Sequence, residues 1–109
     1  MGAQPLEPLA IPPEVGRLKD ALARRFRLTR MILFGSRARG DHLRTSDVDL
    51  IVVSPDLAQM PFLKRIREVV ALWEGDLDLE VLPYTPEELA RKENEIGIVA
   101  RAVREGIEI

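Results

Sequence analysis

The 109-residue chain has no cysteine, which excludes disulfide stapling and thiolate metal sites and fits a reducing, cytoplasmic setting. Basic residues are not in excess: 16 Lys and Arg stand against 18 Asp and Glu, for a net charge of −2. That balance gives no electrostatic footprint for nucleic acid as the main partner. No apolar run approaches the roughly 18 residues of a membrane span, and no signal-peptide pattern is visible, so no membrane association is expected. Internal repeats are absent. What remains, 46% hydrophobic and 31% charged residues, is ordinary for a soluble domain. The length allows one domain with a single core and no second catalytic or substrate domain.

Residues 1–13 carry four prolines and little periodicity, which reads as a flexible lead-in ending in a helix start at Pro12-Pro13. Residues 14–109 form the domain. Val15, Leu18, Leu22 and Phe26 recur at helical spacing, which predicts an amphipathic helix to about Phe26 with Arg24 and Arg25 on its solvated face. Leu28 to Phe34 reads as a strand too continuously apolar for an edge. Val48 to Val53 is a second buried strand, stopped by Ser54-Pro55-Asp56. Phe62, Leu63, Ile66, Val69, Val70 and Trp73 form a helix stripe, with Lys64, Arg65, Arg67 and Glu68 facing away and Gly75 ending the helix. Trp73 at that spacing belongs to the core. Leu77 to Leu82 alternates apolar and acidic residues as a third strand should. Thr85, Pro86 and Glu88 make an N-cap, a first helical position and a capping box. Ile96, Val99 and Val103 predict a last helix ending near Gly106, and Ile107 to Ile109 a short final strand.

Joining the first two strands is the stretch that carries chemistry, Leu33 to Leu50, in which two acids open the second strand. Gly35 allows a sharp turn and close approach of a ligand to the backbone. Ser36 stands where a helix begins, offering amide N–H groups and a hydroxyl to a phosphate. Arg37 and Arg39 bring positive charge to the same turn and can clamp a triphosphate; for Arg39, a purely solvent-facing role is equally open. Ser46 closes the loop ahead of the acids and is a further candidate nucleotide contact. The lone His42, in the same polar loop, reads as solvent-exposed rather than as a base. Asp47 and Asp49 are two apart, so on a strand both carboxylates share one face. Such a pair repels unless a cation lies between, and Mg²⁺ with phosphate co-ligands suits it. Asp78 and Glu80 also share a face, either as the exposed side of an edge strand or as the source of a third carboxylate.

An isolated Asp-x-Asp is a weak signal, but Gly-Ser, ten residues and Asp-x-Asp together are not. With each residue type at about 5–7% usage, four fixed identities recur by chance on the order of once per thousand chains of this length. The stretch resembles the signature of the DNA polymerase beta-type nucleotidyltransferase superfamily. The short chain is similar to its minimal nucleotidyltransferases, often encoded as antitoxin partners of HEPN-domain proteins. The resemblance implies an α/β (α+β) minimal palm, a small mixed sheet flanked by helices. It implies ATP as substrate and two Mg²⁺ ions held by Asp47, Asp49 and a third acid. In the family that acid is usually an Asp on the following strand. Spacing to the segment Tyr84 to Glu88 aligns Glu80, whereas Asp78 is the better residue type, and both stay open. The implied reaction is transfer of AMP to a tyrosine hydroxyl of a HEPN toxin, which is thereby silenced. Two other readings stand beside it. One is a nucleotide-binding module that neutralises its partner by direct binding; the other is transfer to a small molecule or an RNA end. A homodimer or hetero-oligomer is expected from the small fold and its uncovered sheet edge.

Overall fold

A four-stranded mixed sheet of order β3-β2-β1-β4 organises the chain. The computed structural model describes residues 11–41 and 46–109, so the expectations for residues 1–10 and for His42 lie outside the described residues. The elements are α1 (Pro13–Arg25), β1 (Arg30–Phe34), α2 (Ser36–Arg39), β2 (Val48–Val53), α3 (Phe62–Val70), β3 (Leu79–Tyr84), α4 (Pro86–Lys92), α5 (Ile98–Glu105) and β4 (Ile107–Glu108). β1 runs antiparallel to both β2 and β4, while β2 and β3 are parallel. The apolar run of β1 therefore lies in the interior of the sheet, as its continuity requires.

The sheet divides the expected single core into two clusters. Met31, Leu33, Leu50, Val52 and Val81 pack on one face against Val15, Leu18 and Leu22 of α1 and Val69 of α3. Ile32, Phe34, Ile51, Val53 and Tyr84 pack on the other against Leu89 of α4 and Val99 and Ala102 of α5. Alternation along each strand serves both faces, which is why the strands read as unbroken apolar runs. No described helix is long and apolar enough to cross a membrane.

Three helix expectations need correction. α3 ends at Val70, not near Gly75, because Leu72 and Trp73 close a tight turn by donating their N–H groups to Val69 and Val70. Trp73 still packs against the first cluster and donates its indole N–H to Leu77 O at 2.8 Å. On α3, Leu63 and Val70 face solvent, and Arg65 is buried along with Val69. Its guanidinium donates to Met60 O, Pro83 O and both oxygens of Glu88, so a cation held by four hydrogen bonds occupies a site the apolar stripe would assign to the surface. Finally, Ile96 lies outside α5 and is fully exposed. The capping box at Thr85 forms as expected: Thr85 Oγ1 accepts from the Glu88 N–H, and Glu88 accepts from the Thr85 N–H. β3 starts two residues later than its alternation suggests and accommodates Pro83 because it is an edge strand.

Candidate active site

The site is built where β1 ends and β2 begins. Antiparallel pairing sets Phe34 beside Asp49, and parallel pairing sets Asp49 beside Glu80. Residues level with one another across a sheet point to the same face, so Asp49 and Glu80 are neighbours at the sheet's end. Asp47 lies just before β2, and Asp78 just before β3, where its carbonyl accepts the Val48 N–H at 2.9 Å.

Gly35 turns the chain out of β1 with φ +77° and ψ −156°, a region open essentially to glycine alone. Space demands glycine as well: a Cβ would lie 2.2 Å from Asp49 Oδ2. The carboxylate is thus laid against the backbone of the turn, and the conformation and the acid require each other. Ser36 follows, half-buried at the head of α2, and the Ala38 and Arg39 N–H groups both donate to Gly35 O at 3.1 Å.

Electrostatics identify the partners of Asp49. Its carboxyl is pushed up to about 6, first by burial, then by the Glu80 and Asp47 carboxylates, with Arg39 opposing. Three acids therefore interact here without mutual satisfaction. Arg39 is exposed and donates to Asp41 at 3.2 Å. Arg37 is buried, and its Nε and Nη2 donate to Ser46 O at 3.1 and 3.0 Å. That bond ties the far end of the signature loop to α2, a role that residue spacing alone does not reveal.

A cavity of about 560 Å³ opens beside these groups. Gly35, Arg39, Asp49 and Glu80 line one side of it, and Ile98 and Arg101 of α5 the other. The α5 residues carried no sequence signal, since they lie some fifty positions from Asp49 and reach it only through folding. Among the described residues no three His, Cys, Asp or Glu side chains converge tightly enough to cage a metal ion unaided. The donor set nevertheless fits Mg²⁺, which takes one or two carboxylates and fills its octahedron with water and substrate phosphates. The carboxylate repulsion that raises Asp49 is what a cation would relieve.

A glycine turn, a single turn of helix and acids at the mouth of two paired strands define a nucleotidyl-transfer palm. The chain belongs to the nucleotidyltransferase domain family, whose sequence profile matches residues 15–104. It is 32% identical to a Sulfolobus solfataricus protein provisionally named a nucleotidyltransferase. The crystal structure of that protein superposes with a TM-score of 0.55, covering 84% of each chain. Over 46 residues it is also 41% identical to a Methanocaldococcus jannaschii protein provisionally named a protein adenylyltransferase. That stretch spans 42% of this chain and 43% of the relative, less than half its length. The expected family and the mixed sheet flanked by helices are thus both found.

Proposed function

We propose that the protein transfers AMP from ATP to a hydroxyl of a partner protein, with the placement of Asp49 between the Gly35 turn and Glu80 as the observation that carries this reading. The acceptor oxygen attacks the α-phosphorus, a P–O bond forms, and the bond to the leaving pyrophosphate breaks. Gly35 admits the phosphates close to the backbone, and Ser36 and Arg39 hold them. Arg37 acts by fixing the loop at Ser46. Glu80 is the third carboxylate and accepts the hydroxyl proton; its register beside Asp49 supports it over Asp78, which is not among the groups that raise Asp49. Two Mg²⁺ ions would be held by Asp47, Asp49 and Glu80, supplying charge neutralisation at the phosphates and acidifying the hydroxyl.

The provisional name of the archaeal relative supports a protein as acceptor. The resemblance to the minimal family supports a tyrosine of a HEPN-domain toxin, an antitoxin role and a cytoplasmic site of action. The test is incubation with radiolabelled ATP, Mg²⁺ and a HEPN-domain protein, read by gel and intact mass. The acceptor mass should rise in whole AMP units with the wild type and stay unchanged with Asp49→Ala. Equal incorporation by both proteins refutes the catalytic reading. Ile96 and Ile98, large apolar side chains exposed at and just ahead of α5, support a second reading, neutralisation by direct binding. In that case Asp49→Ala would protect against the toxin as fully as wild type.

A further inference from the structure

In-line transfer places the attacking oxygen and the leaving phosphates on opposite sides of the phosphorus. The row Phe34, Asp49, Glu80 runs from the Gly35 turn toward β3. With the leaving phosphates at that turn, the attacking hydroxyl arrives from the Glu80 side. The cavity there is bounded by Leu82 of β3 and, across from it, by Ile98 and Ala102 of α5, the helix that packs on β1. Arg101 and Glu105, paired at 3.1 Å, also line it and offset one another's charge. Ile98 is 66% exposed, and Ile96, just ahead of α5, is fully exposed. Neither belongs to a core cluster. Large apolar side chains left uncovered beside a cavity mark a surface that another molecule covers.

The chemistry of the lobe narrows the occupant. A sugar needs several fixed polar partners, and here Leu82, Ile98 and Ala102 present hydrocarbon while Arg101 and Glu105 are bonded to one another. A nucleic-acid strand needs cations along its backbone, and Arg101, the cation that α5 brings to this lobe, is already paired with Glu105. A hydroxyl on an apolar side chain fits, and a macromolecule bearing it would cover the isoleucines outside. We infer that the lobe between β3 and α5 seats the acceptor as a hydroxyl-bearing apolar side chain of a protein, whose surface closes over Ile96 and Ile98. This assignment rests on the transfer reaction proposed above.

The test uses Ile96→Asp and Ile98→Asp, both at exposed positions, in two assays: affinity for mant-ATP, and AMP transfer titrated with the HEPN-domain protein. The expected result is a rise of about tenfold or more in KM for the acceptor in both variants, with the mant-ATP Kd within about twofold and, for Ile96→Asp, kcat within about twofold as well. Loss of mant-ATP affinity in Ile98→Asp would overturn the assignment, because the lobe would then hold the nucleotide. An unchanged acceptor KM would place the acceptor elsewhere. Failure of the reaction itself has a separate signature: wild type binds mant-ATP yet transfers nothing, and the assignment then falls with the reading it rests on.

Discussion

Replacing Gly35 with alanine tests whether the turn and the acid were built for each other. The backbone there, at φ +77° and ψ −156°, costs a residue with a side chain about 1–3 kcal/mol. The new Cβ would also meet Asp49 Oδ2 at 2.2 Å and Cγ at 3.2 Å, so the carboxylate must leave its place. Overpacking of that kind adds about 1–3 kcal/mol. At about 4–8 °C per kcal/mol for a domain near this size, Tm should fall by at least about 8 °C. The two causes separate in a double-mutant cycle. Asp49→Ala removes Oδ2 and Cγ and leaves only a Cβ at 3.5 Å, an ordinary contact. In that background Gly35→Ala should therefore cost about 1–2 kcal/mol less than in the wild type. Urea unfolding of the four proteins measures the coupling directly. Additivity within about 0.5 kcal/mol would refute the close approach of Asp49 to the turn.

Four further outcomes rest on the charged groups of the structure. Because the folded protein holds the Asp49 proton up to about pH 6, against 3.8 for the free side chain, this group favours the fold below pH 3.8 and loses that contribution as pH rises through 6. Asp49→Asn should thus be more stable than wild type at pH 7.5 and equal to it near pH 3.5, and no gain in Tm at pH 7.5 would contradict the burial of the Asp49 carboxylate and its repulsion by Glu80 and Asp47. The ionised fraction of Asp49 rises about tenfold between pH 5 and pH 7, so Mg²⁺ affinity by calorimetry should rise by about the same factor. Glu88, held down at about 2 chiefly by its bonds from Arg65, stabilises the fold above pH 4.5 and loses that effect as pH falls toward 2; Arg65→Met should cost about 2–4 kcal/mol at pH 7 and flatten the acid limb of the stability curve. Glu80→Gln should abolish transfer while Asp78→Asn retains it, measured as AMP incorporation; the reverse pattern would move the third carboxylate to Asp78.

Much of this architecture was legible because it depends on local rules. The α1 stripe at Val15, Leu18 and Leu22, the capping box at Thr85 and Glu88, and the unbroken runs of β1 and β2 follow from periodicity and terminal chemistry, which neighbours in sequence decide. The α3 stripe misled for a physical reason. Arginine has a long apolar stem and five donors, so Arg65 can be buried wherever carbonyls and a carboxylate converge, and that convergence comes from Met60, Pro83 and Glu88 on other segments.

For the site, the sequence by itself determined the ingredients: Gly35 for the turn, Asp47 and Asp49 for one strand face, and a second acidic pair at Asp78 and Glu80. Only the tertiary structure decided their pairing. Alternation places Asp78 and Glu80 on one face equally well, and it takes the parallel register of β2 on β3 to set Glu80 level with Asp49. The burial of Arg37 against Ser46, the contact of Asp49 with Gly35, and the α5 wall of the cavity are likewise contacts that no single element contains. Periodicity reports which way a side chain faces along its own element. Register and packing decide what it meets there.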